Sequence, residues 1–495
     1  MARTGPTVLP DDAPDDRSDE LRAGFERLRD DLDVPGPHPP EVVAAAEEAA
    51  RRPLDVVDPG ASPGRWQHVD RTDVAFATLD PASSTDLDQA FAVEAAGDDV
   101  LLRYAIADVG WFVRPGDPVD AEAWRRGVTV YLPDGRAGLH PDVLAEDAAS
   151  LLPDGPRPAV VLAVRVDPEG EARLDGVERA LVRNRAKLAY STVVDDDLPD
   201  AVRELSRRIE RAERRRGAER IAWPEQEVVA TGDGAFRLRF RPRSQPELDN
   251  AAMSLAANVA VAEAMWAAGT GLFRTMPPVD DDDVARLRRT ARAFGLDWPA
   301  DLPLGDFERS LDPDDPRTAA FQLAVRRAGG GASYTPYSAF AHEGGPPDGG
   351  ALDGRPWHAA LAATYAHATA PLRRLADRYV IEAVLAIANG RAVPDECVAA
   401  FDELPGVMAR ADQLANRVDR AAIDLAEAIV LRGREGEVFD AVVTDEDDRG
   451  ARIQLAEPAV VARVAVRGVD PGDELRVRLT GVDVAERALA FEPVA

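Results

Sequence analysis

The sequence predicts an α+β fold: a central mixed α/β region preceded by a short helical segment and closed by a small β-barrel. Three observations carry this. The first sixty-odd residues hold two helix-patterned stretches. From Val74 short apolar runs of strand length alternate with Gly, Pro and Asp clusters, then give way to long helices after Pro199. The last sixty or so residues again alternate apolar runs with turn signals. At about 150 residues per domain, a chain of 495 residues accommodates roughly three domains. Its 45% hydrophobic content is enough to bury a large core, which excludes a disordered chain or a small disulfide scaffold.

The elements follow in order. Residues 1–65 read as a helical adaptor: Ser18 to Leu32 places Leu21, Phe25, Leu28 and Leu32 at helical spacing with Ser18 as the expected cap, and Glu41 to Arg52 is alanine-rich. Strands are expected over Val74–Leu79, Ala90–Glu94, Val100–Ala107, Val128–Leu132 and Val160–Val166. An arginine-rich helix is expected from Pro199 to Arg220, with acid–base pairs such as Glu210 and Arg214 four apart. Further helices are expected over Asn250–Ala268, Asp283–Phe294 and Thr318–Ala328. The Gly- and Pro-rich stretch Gly329 to Trp357 is too long for a connector and reads as a substrate-facing flap or a disordered insertion. A helix to about Asn389 and a long helical stretch over Asp395–Arg434 complete the central region, 66–434. Four or five strands within 435–495, with Asp470-Pro-Gly-Asp as a turn, fit an OB-type barrel.

Charge and cysteine usage narrow the function. Against 59 basic residues stand 89 acidic ones, a formal −30, and Lys187 is the single lysine. The long-range field repels phosphates and anionic lipids, so a nucleic-acid substrate would need local arginine clusters and a metal to overcome it. One cysteine, Cys397, excludes an intramolecular disulfide and a cysteine zinc cage. The first twenty residues lack an apolar h-region, and Leu255 to Phe273 is interrupted by Asn258 and Glu263, so neither a secretory signal nor a membrane span is read. A cytoplasmic, monomeric protein without a membrane partner is expected.

Two segments carry chemistry. In Thr78-Leu-Asp-Pro-Ala-Ser-Ser-Thr-Asp-Leu-Asp-Gln-Ala-Phe91, Asp80 ends an apolar run, Pro81 breaks it, and Asp86 and Asp88 sit two apart at the next strand. Residues i and i+2 of an extended chain share a face, so strand–loop–strand can gather three carboxylates around one point, where their repulsion calls for a hard cation such as Mg2+. The same residues also suit a turn whose acids cap strands. In Tyr365-Ala-His-Ala-Thr-Ala-Pro-Leu-Arg-Arg-Leu-Ala-Asp377, Pro371 fits a turn or a first helical position, which would put Arg373 and Arg374 in the first turn. Cations are disfavoured there unless an anion is to be held; a surface pair with Asp377 is the plainer alternative.

Both segments, in this order, resemble the RNB-domain exoribonucleases, the RNase II/RNase R family. The likeness continues through Tyr104-Ala-Ile-Ala-Asp-Val-Gly-Trp-Phe-Val-Arg-Pro-Gly116, Arg126-Gly-Val-Thr-Val-Tyr-Leu-Pro-Asp134, Ala186-Lys-Leu-Ala-Tyr190 and Leu255-Ala-Ala-Asn-Val-Ala-Val-Ala262, covering roughly residues 65 to 435. The resemblance implies an RNB catalytic domain that hydrolyses single-stranded RNA from its 3′ end to nucleoside 5′-monophosphates with Mg2+, for which Mn2+ can substitute. By motif position Asp80, Asp86 and Asp88 match three of the family's four clustered aspartates, with Asp88 nearest the chemistry and Asp86 beside it. Arg373 matches the arginine on the scissile phosphate. Tyr131 and Tyr190 match aromatics near the RNA 3′ end, and Arg374 and His367 are further candidate RNA contacts.

There are departures. The fourth aspartate is Gln89, whose neutral carbonyl can still ligate Mg2+ with one charge fewer. The acidic doublet usual before the Ala-Asn helix is replaced by Asn250-Ala-Ala, Thr369-Ala-Pro lacks one hydroxyl of the arginine motif, and a short helical lead stands where two cold-shock barrels are usual. The alternatives are a non-catalytic RNA-binding relative with a metal site weakened by Gln89, and a phosphodiesterase acting on DNA or short oligonucleotides. His342, in the Gly/Pro loop, is left without a role.

Overall fold

The computed structural model of the protein describes residues 16–60, 63–194, 197–218, 225–230, 236–241, 243–312, 315–328, 331–340, 351–447, 450–455 and 460–494. Helix α1 (Asp16–Asp31) begins two residues before Ser18, which therefore lies inside the helix rather than capping it. Its Leu21, Phe25 and Leu28 form one buried stripe. Helix α2 (Pro40–Ala50) starts with proline, whose missing N–H costs nothing at that position, and buries Val42, Ala46 and Ala49.

The central sheet has seven strands: β1 (Val56–Val57), β2 (His68–Asp70), β3 (Phe76–Asp80), β4 (Gln89–Ala96), β5 (Asp99–Ala107), β8 (Pro156–Val166) and β9 (Ala172–Ala189), in the order β1-β2-β9-β3-β4-β5-β8. Strand β9 has no counterpart in the sequence reading. It is 18 residues long, pairs antiparallel with β8 as far as Arg183 and parallel with β3 from Asn184, and so brings the sheet back on itself. Between β5 and β8 lie the short helices α3 (Val109–Phe112) and α4 (Pro118–Arg126) and the hairpin β6 (Val130–Leu132)–β7 (Gly135–Ala137).

Helices α5 (Asp200–Arg216) and α6 (Gln245–Ala267) follow, with the hairpin β10 (Glu225–Ala230)–β11 (Phe236–Arg241) between them. A Ser244/Glu247 capping box starts α6, five residues before the expected boundary. Next come β12 (Leu272–Thr275) and helices α7 (Asp281–Ala293), α8 (Leu304–Ser310) and α9 (Pro316–Ala328). The Gly/Pro stretch is partly regular: β13 (Ser333–Pro336) pairs with β12, and β14 (Ala351–Leu352) with β15 (Arg355–Pro356). Residues 341–350, with His342, lie outside the described residues.

Helix α10 (Leu375–Ala388) is buried almost all round and α11 (Asp395–Leu431) runs 37 residues; together with α1 and α6 they cover the sheet around the main core, which includes Leu79, Phe91, Leu102, Tyr104 and Ile106. The chain ends in the expected barrel. Strands β16 (Val438–Asp447), β17 (Gly450–Leu455), β18 (Val461–Val464), β20 (Ala488–Val494) and β19 (Glu474–Asp483) close in that order around Phe439, Val443, Ile453, Val477 and Leu479.

Candidate active site

Four segments meet at the C-terminal end of β3. The first is the loop from Asp80 to Asp88. Its far end is pinned by Ser150, whose hydroxyl accepts from the Leu87 N–H at 2.9 Å and donates to the Thr85 carbonyl at 2.6 Å. The second is β9, where the Tyr190 N–H donates to the Asp80 carbonyl at 3.2 Å. The third is the β6–β7 hairpin, entered through Gly127 at φ 72°, where a Cβ would stand 2.6 Å from that of Ala411. The Gly127 carbonyl accepts from the Leu375 N–H at 3.0 Å, and the Thr129 N–H donates to the Arg373 carbonyl at 3.0 Å, which ties the hairpin to the fourth segment, 365–374.

That fourth segment is held from several sides. Asn258 of α6 donates through Nδ2 to the Tyr365 hydroxyl at 3.1 Å and the Thr369 hydroxyl at 3.3 Å, and its Oδ1 accepts from the Ala368 N–H at 2.9 Å. This explains an amide in the middle of an apolar helix. The buried His140 donates from Nε2 to the Pro371 carbonyl at 3.3 Å. Burial, with the Arg378 charge, pushes the His140 pKa down to about 3, so the ring is neutral.

Asp88 receives the segment directly. Its Oδ1 accepts from the Leu372 N–H at 2.7 Å and its Oδ2 from Arg373 Nε at 3.1 Å, across 285 positions of sequence. Asp88 is 4% exposed; burial pushes its carboxyl up to about 7 although Arg373 and the Leu372 N–H pull it down. Asp80 is pushed further, to about 8, by burial and then by the charge of Asp88, with Arg373 opposing. Its Oδ2 is buried and meets no donor. Burial and mutual repulsion thus oppose ionisation of both carboxyls, and one of their oxygens meets no protein donor. Their hard oxygen donors fit Mg2+, which is commonly held by one or two carboxylates plus substrate phosphate and retained water.

The expected gathering of three carboxylates is realised as two plus one. Asp86 Oδ2 accepts from the Tyr131 hydroxyl at 2.9 Å and lies 2.8 Å from Arg136 Nη1, and Arg136 also pairs with Glu146. Among the described residues no three His, Cys, Asp or Glu side chains form a ready-made metal cage. Gln89 opens β4 at 5% exposure, and strand alternation puts it on the face of Phe91 and Val93, which enters the main core.

The tyrosines stand at the site, each engaged. Tyr131 donates to Asp86, and Tyr190 accepts at its hydroxyl from Asn250 Nδ2 at 2.6 Å, so the residue replacing the expected acidic doublet anchors an aromatic. Burial first, then Asp86 for Tyr131 and Asp80 for Tyr190, raises both phenols well above their ordinary value. His367 shares a 2.7 Å hydrogen bond with Tyr334 through Nδ1, and burial with the Arg374 charge holds its pKa well down. Tyr334 and Arg274 line a cavity of about 930 Å3 beside α11 that does not reach the carboxylates.

Arg374 is a correction. The helix begins at Leu375, so both arginines precede it. Arg374 turns inward and commits Nε and Nη2 to Asp377, in hydrogen bonds of 2.9 and 2.7 Å, in a buried pair rather than an RNA-facing position. Two further residues escaped the sequence reading. Arg136 sits on Asp86, and Lys187 donates from Nζ to the Ala82 carbonyl at 3.1 Å and draws Asp80 toward ionisation. The solitary lysine was the available signal for the second; nothing local marked the first.

A family model for the RNB domain matches residues 68–389, nearly two thirds of the chain. The chain belongs to the RNB-domain family. A model for the RNase II-type exonuclease C-terminal S1 domain matches 437–494, the closed barrel. Ribonuclease R of Aquifex aeolicus is 25% identical over 435 residues, covering 82% of this chain; the chain spans 59% of that relative's length. Among solved structures, RNase R of Mycoplasma genitalium in its apo form matches with a TM-score of 0.79 at 18% identity, covering 96% of this chain and 78% of the other. Yeast Ssd1, a pseudonuclease, matches with a TM-score of 0.61 at 18% identity, covering 85% and 52%. This RNB fold therefore accommodates both RNase R and a pseudonuclease, and the site has to decide between them.

Proposed function

We propose that this RNB-family chain is a metal-dependent 3′-to-5′ exoribonuclease that hydrolyses single-stranded RNA to nucleoside 5′-monophosphates, with Mg2+ as its ion and Mn2+ as a substitute. The observation that carries the reading is the Asp88–Arg373 contact beside the unsatisfied oxygen of Asp80. Asp80 and Asp88 would hold the ion, with Asp86 and Gln89 as outer members of the set. The ion supplies a Lewis acid for the phosphoryl oxygen and lowers the pKa of a bound water. Arg373 is placed by its carbonyl's bond to Thr129 and needs only to release Asp88 to meet the charge that develops on the phosphate. Tyr131 and Tyr190 offer ring faces for sequence-tolerant stacking, worth about 1–3 kcal/mol per base. His367 is engaged by Tyr334 and enters as an RNA contact rather than as an acid or base.

The family match supports this reading, as does the RNA-bound form of the Mycoplasma protein, which was solved with ribose-methylated single-stranded RNA. The organisation we propose is an adaptor over 1–65, the RNB domain over 66–434 and an RNA-binding barrel over 435–495, acting as a cytoplasmic monomer. No helix among the described residues is long and apolar enough to cross a membrane.

A time course on 5′-labelled single-stranded RNA with Mg2+ tests the proposal. A descending ladder of one-nucleotide steps, absent in Asp88→Asn while RNA binding persists, is the expected result. No degradation across a metal and salt series rejects it. The competing reading, an RNA-binding relative disabled at Gln89, predicts tight binding without turnover and a gain of activity in Gln89→Asp.

A further inference from the structure

A second cluster of charge lies around Trp66 and Trp111, outside the groups used above. The Arg114 guanidinium carbon stands 3.6 Å from the centre of the Trp66 ring and 5.2 Å from that of Trp111; Arg179 covers Trp66 at 4.4 Å, and Arg52 lies 5.7 Å from Trp111. Arg179 is matched: Nε donates to Asp108 at 2.8 Å, and Nη2 pairs with Glu382. Arg65, nearby, pairs with Glu396 at 3.0 Å. Arg52 and Arg114 are not matched. Among the described residues neither has an ion pair, and the one side-chain bond of Arg52 goes to the Trp111 carbonyl. Three inner guanidiniums thus face two carboxylates, both of them engaged by Arg179.

Arg288, which also has no carboxylate partner among the described residues, is instead satisfied by three backbone carbonyls. Arg114 is half-buried, and burial followed by the charges of Arg52 and Arg179 depresses its pKa, the mark of a cation short of an anion. The indole N–H of Trp111, on the ring that both guanidiniums flank, is buried without an acceptor. Arg114, Arg179 and Arg65 crowd the Trp66 ring at 3.6, 4.4 and 4.8 Å, and His68 lies 5.2 Å from the Trp111 ring, so cationic and ring partners rather than a base already engage these aromatics.

We propose that Arg52 and Arg114 form an anion site for a phosphate group, recognised through guanidinium forks and not through a base. Paired guanidinium N–H groups match phosphate oxygens, and the bound charge neutralises the excess. The phosphate can come from free inorganic phosphate or from the phosphomonoester of a nucleotide.

Calorimetry and tryptophan fluorescence with inorganic phosphate and, separately, adenosine 5′-monophosphate test this without any RNA turnover. Saturable binding with a dissociation constant of about 1 mM or tighter is expected. It should weaken about tenfold in Arg114→Met and in Arg52→Met, persist more weakly in Arg114→Lys, and be unchanged in Arg214→Met, which alters an exposed arginine of α5 paired with Glu210. Near-UV circular dichroism checks that each variant is folded. Equal affinities support the site with free phosphate sufficient, and tighter binding of the nucleotide supports it with a phosphomonoester as the source. No saturable signal up to about 10 mM phosphate overturns the proposal, as does binding indifferent to both tryptophan-side arginines or weakened equally in Arg214→Met.

Discussion

Arg373 and Arg374 are neighbours with the same side chain and opposite fates. Arg373 reaches Asp88 at the site, whereas Arg374 is sunk against Asp377, which is fully buried and also accepts from the Ala370 N–H at 2.8 Å. Removing one partner of a buried pair leaves the other charged and unpaired. Arg374→Met should therefore lower unfolding free energy by about 3–5 kcal/mol, read as a lower denaturant midpoint at constant m-value. Arg373→Met should cost clearly less stability, because Asp88 keeps the Leu372 N–H at 2.7 Å, and should reduce kcat by about 10²–10³-fold. Equal destabilisation by the two would refute the division. At this scale the sequence was partly legible: the spacing of the aspartates and the paired arginines could be read locally, whereas Arg373 and the two tyrosines were singled out by the family resemblance. Which of two adjacent arginines faces the site depends on where the helix begins, and the grip of Arg136 on Asp86 depends on a hairpin some fifty residues downstream; neither is a local property.

At the scale of elements, the site depends on the 365–374 segment staying seated on the β6–β7 hairpin and on neutral His140. The folded state keeps that imidazole unprotonated down to about pH 3, while the unfolded chain binds a proton below the ordinary histidine value of about 6.5. The unfolded state therefore binds more protons in that window, and stability should fall as pH drops from about 6.5 toward 3. Urea midpoints measured across this range should show the decline, and His140→Gln should flatten it; an unchanged slope would mean that His140 does not carry the effect. Asp108 adds a lower limb. Burial alone would raise its carboxyl, but Arg179 and His68 hold it down at about 2, so its stabilisation is present above its ordinary value of about 4 and is lost as pH falls toward 2. Most elements were legible because their apolar periodicity is strong, as in α10 and the barrel strands. Strand β9 was not, because Arg173, Asp175, Glu178, Arg183 and Arg185 interleave its buried Val177, Ala180 and Val182 and mask a strand that has to turn between two partners.

Over the whole molecule, a net charge of −30 opposes the polyanionic substrate of the proposed function, so affinity for RNA would have to come from short-range contacts and the ion. Binding of a single-stranded tail should weaken linearly in log–log terms with added KCl as phosphate contacts release counterions, and fluorescence anisotropy over a salt series reads the slope. A flat response would shift the source of affinity to stacking. The central claim concerns the buried carboxylate pair and is tested most directly by Mn2+ binding, followed by electron paramagnetic resonance, in the wild-type protein and in Asp80→Asn, Asp88→Asn and Asp86→Asn. The account predicts a loss of about tenfold or more in affinity for the first two substitutions and a smaller one for Asp86→Asn, whose carboxylate is committed to Arg136 and Tyr131. Undiminished Mn2+ binding in both Asp80→Asn and Asp88→Asn would contradict it.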